Sequence, residues 1–134
     1  MPIKRLTKAD HPLSFGTFKP VGHVVVALPD DASAALAAAA LRDAGFDDDD
    51  ILQYSAAEES DEMQRMLQYA SDFAGFGYEV SLMRRYQQLA RNGASWLIVF
   101  APEAADTARI TAVVRLHGAL IAEKYHRLVI EDLL

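Results

Sequence analysis

The chain of 134 residues contains no cysteine. Disulfide bonds, thiolate zinc sites, iron–sulfur clusters and cysteine nucleophiles are therefore excluded. No stretch approaches the roughly 20 apolar residues of a membrane-spanning helix, and the segment from Met1 to Pro20 lacks the apolar run of a signal peptide. Because disulfides are rare in the reducing cytoplasm, this composition predicts a cytoplasmic protein that has no membrane partner.

Standard motifs for nucleotide binding and for serine nucleophiles are also missing. Gly75 and Gly77 flank a phenylalanine, but there is no third glycine of a dinucleotide fingerprint and no Gly-Lys-Ser or Gly-Lys-Thr of a P-loop. Ser14, Ser55 and Ser95 lack the nucleophile-elbow pattern. The sequence therefore assigns no catalytic residue and no cofactor.

Charge is unevenly distributed. The formal net charge is −6, yet residues 1–22 hold Lys4, Arg5, Lys8 and Lys19 against Asp10 alone. The remaining chain is strongly acidic and would repel phosphate backbones, so no nucleic-acid partner is expected. Prolines break up the basic segment, which predicts an extended N-terminal arm over residues 1–22.

An internal repeat carries most of the information about the fold. Two apolar runs, each stopped by a proline at Pro29 and Pro102, lead into helical patterns that end at Gly45 and Gly118, and both matches have the same offset of 73 positions. Each copy is typical of a strand, a helix and a second strand. The expected elements are a strand at 23–28, a helix at 32–44, a strand at 51–55, a strand at 95–101, a helix at 103–117 and a last strand at about 122–130.

Together the two copies predict one α+β domain over residues 23–134, a ferredoxin-like βαβ repeat with a four-stranded antiparallel sheet. An inserted helical pair is expected at about 58–92, between the two halves. One stripe on these helices is rich in methionine and aromatic side chains; its members are Met63, Met66, Tyr69, Phe73, Phe76 and Tyr86. Such a stripe is typical of packing within the chain or across a dimer, and it is also compatible with a ligand pocket between the sheet and the inserted helices.

Two groups of residues are compatible with metal binding or acid–base chemistry. The acidic run from Asp47 to Asp50 offers hard oxygen ligands, but it lacks the EF-hand pattern and is typical of a solvated turn. The histidines have no close ligand spacing, and we expect structural roles for them; they are His11, His23, His117 and His126. The sequence therefore predicts no metal site.

Several short motifs resemble small bacterial proteins of the general-stress-protein type. They are the run from Val24 to Asp31 before an alanine-rich helix, Ala44-Gly-Phe46, Asp50-Ile51, Arg115-Leu-His-Gly118 and Ile130-Glu-Asp-Leu133. The resemblance covers residues 23–133, implies a ferredoxin-like fold without assigned activity, and supplies no catalytic residue. The predicted fold is also similar to signalling proteins that bind adenine nucleotides between subunits of a trimer, but helices replace the flexible loop of those proteins here.

Three functions follow as hypotheses. The first is a non-enzymatic, cytoplasmic, homo-oligomeric (dimeric) interaction or stress-associated domain. The second is a sensor that binds a small molecule between the sheet and the inserted helices. The third is an enzyme resembling the dimeric α+β barrels, which would need His23, Tyr54 or His126 to face a cavity.

Overall fold

The computed structural model describes residues 5, 13–14, 17–18, 20–55, 84–86 and 88–134, with only the backbone at 13–14 and 17–18. These residues form an α+β fold around a five-stranded antiparallel sheet with the order β4-β5-β3-β6-β7. The elements in chain order are β1 (Leu13–Ser14), β2 (Thr17–Phe18), β3 (His23–Leu28), α1 (Asp31–Asp43), a 3₁₀ turn (Asp48–Asp50), β4 (Ile51–Tyr54), β5 (Ser95–Phe100), α2 (Ala104–Leu116), β6 (Ile121–Tyr125) and β7 (Ile130–Asp132).

Strand β3 is the centre of the sheet. All six of its residues are buried, and it pairs antiparallel with β5 on one side and with β6 on the other. A strand buried on both faces needs an unbroken run of β-branched and other apolar residues, which is what the sequence provides here. The prediction of an interior strand at 23–28 is confirmed.

Both helices of the repeat begin and end where local chemistry dictates. The carboxylate of Asp30 accepts a hydrogen bond from the backbone N–H of Ser33 at 2.7 Å and so caps α1. Helix α2 begins at a capping box formed by Glu103 and Asp106. Gly45 and Gly118, which follow the helices, have φ of +105° and +77°, a conformation that favours glycine.

The end of the chain differs from the prediction of one strand at about 122–130. The structure has two strands there, β6 and β7, joined by a turn in which the N–H of His126 donates to the carbonyl of Val129 at 2.9 Å. The main sheet therefore has five strands where four were expected. The turn residues His126 to Val129 include no glycine, proline or asparagine, so no turn signal marked the reversal.

The sheet has a different cover on each face. Helices α1 and α2 pack on one face through side chains such as Leu41, Ile110 and Val114. The opposite face, which we call the aromatic face, is built around Tyr86, Trp96 and Tyr125. Tyr86 belongs to helical residues 84–86 and 88–91, which we call the Tyr86 segment.

Two predicted regions fall mostly outside the described residues. Of the arm at residues 1–22, the structure describes residue 5, the antiparallel pair β1 and β2, and residues 20–22. Of the inserted helices at about 58–92, it describes the Tyr86 segment and residue 92. Within the described parts of the chain, no helix is long and apolar enough to cross a membrane.

Candidate functional site

Strand β6 buries two adjacent ionisable side chains on opposite faces of the sheet. Glu123 is 1% exposed and Lys124 is 6% exposed. In the register of the sheet, Glu123 lies opposite Val25 on the aromatic face and Lys124 lies opposite Val24 on the face that α1 and α2 cover. Charged side chains are almost never fully buried unless they are paired, so both residues require an explanation.

The ammonium group of Lys124 is held by neutral oxygen atoms. Its Nζ donates to the carbonyl oxygen of Ala101 and to the Oγ1 of Thr107, the latter at 3.2 Å. Among the described residues, no carboxylate forms an ion pair with it. Burial lowers the pKa of Lys124, and the more distant charges of Asp106 and Glu131 oppose that shift.

The two nearest candidate carboxylates are occupied elsewhere. Glu131 lies directly opposite Lys124 on β7, yet its Oε1 is 2.9 Å from the Nε2 of His126. The carboxylate of Asp106 accepts from the backbone N–H of Glu103 at 3.1 Å and from Arg109 at 2.7 Å. Within the part of the chain that the structure describes, the ammonium of Lys124 therefore lacks the partner that usually accompanies a buried cation.

Lys124 lines an open groove with a volume of about 710 Å³. The groove, which we call the Lys124 groove, runs between α2 on one side and the turn and strand β7 on the other. Small residues of α2 form one wall of the groove, namely Ala104, Thr107, Ala108 and Ala112. A volume of this size lies in the range of about 300–1,000 Å³ that is typical of small-molecule sites.

Charges of both signs surround the groove. Arg115 lines it and donates from Nη2 to the carbonyl oxygen of Leu133 at 3.0 Å. His126, Arg127, Glu131 and Asp132 line the opposite wall. The first turn of α2 at Ala104 adds the positive end of a helix dipole, which favours negative charge in its vicinity. The arrangement suits a ligand that carries an anionic group to the side of Lys124 and Ala104.

The aromatic face contains the second unusual group, Glu123. Its Oε2 is buried and finds no hydrogen-bond partner among the described residues, and the same is true of the Nε1 of Trp96. Burial raises the pKa of Glu123 to about 7, and the nearby carboxylate of Asp132 adds to the shift. A group with this pKa is protonated in about half of the molecules at neutral pH.

Aromatic side chains lie on the same face of the sheet as Glu123. The rings of Tyr86 and Trp96 are 4.9 Å apart between centroids, and the hydroxyls of Tyr86 and Tyr125 are 3.0 Å apart. Tyr86 therefore connects the Tyr86 segment to two different strands of the sheet. Of the predicted methionine and aromatic stripe, Tyr86 lies within the described residues and its side chain is fully buried.

The histidines do not form one cluster in the part of the chain that the structure describes. His23 is buried, with Nδ1 3.0 Å from the carbonyl oxygen of Val21 and its ring 5.1 Å from that of Phe100, and burial lowers its pKa. His117 ends α2, and its backbone N–H donates to Val114. The enzyme hypothesis needs at least one of His23, Tyr54 and His126 at a cavity, and His126 lines the Lys124 groove. His11 lies outside the described residues.

The acidic run forms a turn whose carboxylates bind within the chain. Asp48 pairs with Arg42 at 2.9 Å, and Asp50 pairs with Arg5 at 3.0 Å. Asp50 also accepts from the backbone N–H of Asp47 at 3.1 Å. Throughout the described ranges, no group of three histidine or carboxylate side chains is arranged to hold a metal ion.

Of the three serines considered in the sequence, Ser95 has the clearest side-chain contact. Its hydroxyl donates to the carboxylate of Asp31, which joins the start of β5 to the first turn of α1. Ser55 follows β4, and of Ser14 the backbone is described. The contact of Ser95 with Asp31 gives this serine a structural role.

No protein-family model, curated protein or solved structure matches this chain. The resemblance to general-stress-protein-type domains therefore stays a prediction.

The sequence interpretation missed both Glu123 and Lys124, although three signals were present. Adjacent charges interrupt the apolar segment Ile121-Ala-Glu-Lys-Tyr125, which is unusual for a strand beside the centre of a sheet. In the alignment of the two repeat copies, Lys124 corresponds to Ile51, so the second copy has a cation where the first has an apolar residue. In addition, Lys124 is the single lysine after Lys19 in the sequence.

Proposed function

We propose that this protein binds a small organic anion, such as a carboxylate, in the Lys124 groove. One observation carries the proposal: a lysine that is 6% exposed lies at a groove of about 710 Å³ without a carboxylate partner among the described residues. The function corresponds to the sensor hypothesis. The described lining of the groove comes mainly from α2, β6, the turn that follows and β7, whereas the predicted pocket involves inserted helices that fall mostly outside the described residues.

The physical reason is the cost of burying an unpaired charge. Two neutral oxygens, from Ala101 and Thr107, compensate only part of the hydration that the ammonium of Lys124 loses. A carboxylate bound in the groove would supply the missing opposite charge where water is partly excluded. Its attraction to Lys124 would exceed that to a surface lysine, because the effective dielectric constant is lower.

The shape of the groove also favours a bound molecule. The wall formed by Ala104, Ala108 and Ala112 is short-chained and apolar, whereas β6, the turn after it and β7 supply charged groups, among them Lys124 and Glu131. Apolar walls beside placed polar groups are typical of sites for small molecules.

The test is a titration of isotope-labelled protein with a panel of carboxylates, followed by amide chemical shifts. Expected shifts centre on Gly22, Thr107 and Lys124. Ala108→Trp, which fills the groove, should weaken binding at least about tenfold, a change that corresponds to about 1.4 kcal/mol. The matched control is Ala105→Trp, because Ala105 is an exposed α2 residue outside the groove lining. Equal affinities of the two variants would rule out the groove as the site.

Homo-oligomer formation is a second candidate, and exposed apolar side chains favour it. Leu116 at the end of α2 is 85% exposed, and Leu128 in the turn between β6 and β7 is 93% exposed. Burying such side chains against a second copy would be favourable. The molar mass of the purified protein by light scattering tests this proposal, and a monomer at micromolar concentration would contradict it.

The finer fold assignment is likewise a proposal. The order β4-β5-β3-β6, with a helix between β3 and β4 and another between β5 and β6, supports a ferredoxin-like topology to which β7 adds an edge strand. A stress-associated role and a cytoplasmic location are proposed from the sequence resemblance and from the absence of cysteine. Hydrogen-exchange protection that is highest in β3, the central strand, would support the topology.

A further inference from the structure

Lys124 has the surroundings of a lysine that reacts as a neutral amine. Its Nζ lies against the carbonyl oxygen of Ala101 and the hydroxyl of Thr107, both of which accept hydrogen bonds from an amine as well as from an ammonium. The side chain is buried except where it lines the Lys124 groove. A surface lysine in water, by contrast, is almost entirely protonated at neutral pH.

Charged groups face Lys124 from three elements. Asp106 of α2 and Glu131 of β7 favour the ammonium, and His23 of β3, when it is protonated, disfavours it. The carboxylate of Asp106 pairs with Arg109, and that of Glu131 pairs with His126. Desolvation by burial is the largest influence on the pKa of Lys124, and it lowers that pKa. Desolvation is one of the ways in which enzymes activate a lysine amine.

We propose that Lys124 forms an imine with the carbonyl group of a 2-oxo acid bound in the Lys124 groove. This inference rests on the proposed binding of carboxylates, and it adds a covalent step at the same site. The 2-oxo acid class is favoured over simple aldehydes because its carboxylate would supply the negative charge that attracts it to Lys124, while the adjacent carbonyl carbon would lie within reach of the same Nζ.

The chemical step is balanced without any further reactant. The lone pair of Nζ adds to the carbonyl carbon, and the carbonyl oxygen takes up a proton to give a carbinolamine. Loss of water then leaves a carbon–nitrogen double bond, with no change in oxidation state. Water from the open groove can hydrolyse the imine by the reverse path, so the bond is reversible.

The position of the lysines in the sequence makes the step easy to assign. The chain has four lysines, and the other three, Lys4, Lys8 and Lys19, all precede β3. Peptide mass mapping therefore separates Lys124 from every other lysine and from the α-amino group. The unmodified chain serves as its own reference, so no variant has to fold for the primary measurement.

The experiment incubates the full chain with pyruvate and sodium cyanoborohydride at neutral pH and follows labelling of each lysine over time. We expect Lys124 to be labelled at least about tenfold faster than Lys4, Lys8 and Lys19, because a larger fraction of its amine is neutral. Lactate, which has the carboxylate but a hydroxyl in place of the ketone, should give no adduct and should compete with pyruvate. Lys124→Arg should abolish the label at this position while its charge still attracts lactate.

Two results would overturn the inference, and they differ in what they say about the binding function. If lactate shifts the groove amides but Lys124 is labelled no faster than the other lysines, imine formation is wrong and carboxylate binding stands. If neither acid shifts those amides and Lys124 is labelled no faster, both proposals are wrong for this class of ligand.

Discussion

Strand β6 buries a base on one face of the sheet and an acid on the other, and the molecule provides for them differently. Lys124 has two hydrogen-bond acceptors and an open groove beside it. Glu123 has an oxygen with no partner in the described residues and lies on the aromatic face. Burial alone therefore does not define a site. Of these two buried residues, Lys124 is the one that also lines an open groove.

The largest expected effect tests whether the aromatic face is a true core. Trp96→Ala should lower the free energy of unfolding by about 3–5 kcal/mol, because it removes the largest fully buried side chain of this face. Trp96→Phe should cost much less, since it also removes a buried N–H that has no partner among the described residues. Chemical denaturation followed by circular dichroism measures both, with Leu36→Ala, which changes an exposed residue, as the control.

A cost below about 1 kcal/mol for Trp96→Ala would show that the aromatic face is loosely covered. Glu123 would then lie in a more polar environment than its burial indicates, and the contrast between the two faces would disappear.

A second prediction concerns the pH dependence that Glu123 imposes on stability. Its pKa of about 7 in the folded protein exceeds the ordinary value of 4.5, so the folded state holds this proton more tightly. The stabilising contribution is complete below pH 4.5 and is lost as the pH rises through 7. At about 1.4 kcal/mol for each pKa unit, the loss amounts to roughly 3 kcal/mol.

Glu123→Gln should remove this decrease in the free energy of unfolding with rising pH. The stability of the variant relative to the original protein should therefore improve between pH 4.5 and pH 8. Urea denaturation at several pH values measures the difference. Asp49→Asn, which removes an exposed carboxylate, is the control and should leave the slope intact. Parallel curves for Glu123→Gln and the unmodified chain would contradict the pKa assignment.

The smallest expected effect on stability comes from Lys124→Met. Methionine fills a similar volume without a charge, so the free energy of unfolding at neutral pH should change by less than about 1 kcal/mol. Because burial lowers the pKa of Lys124 below its ordinary 10.5, the contribution of the lysine rises as the pH rises through its folded pKa, and it is complete above 10.5. The slope is therefore opposite to that of Glu123.

The same Lys124→Met variant should lose carboxylate binding while it stays folded. Arg91→Met, which removes an exposed cation of the Tyr86 segment, should retain binding. Loss of binding in both variants would indicate a nonspecific effect of charge, and retention in both would remove Lys124 from the site.

Much of the fold was accessible from sequence because its signals are local. The run His23 to Leu28 is apolar throughout, Pro29 ends it, and Gly45 ends the helix that follows. The predicted limits of α1, β4, β5 and α2 agree with the structure to within one residue. Each of these features depends only on residues a few positions apart.

The last strand and the candidate site depend on contacts between distant residues. The turn between β6 and β7 forms from residues without turn preference, so the pairing of the two strands across the hairpin, which includes Lys124 with Glu131, defines it. The burial of Lys124 depends on Ala101 and Thr107, which come from two other elements. A sequence pattern indicates that a charge lies in a strand, but it does not indicate what packs over it.

Side chains of β6 alternate between the two faces of the sheet, and the opposite placement of Glu123 and Lys124 constrains how this strand can pair. A slip of one residue would turn Lys124 into the aromatic face and Glu123 into the groove, and both would lose their present neighbours. Most strands of a buried sheet tolerate a slip poorly because apolar residues become exposed. Here two charges of opposite sign penalise the wrong register as well, so the hairpin that has no turn-forming residue is aligned by the residues inside its own strand.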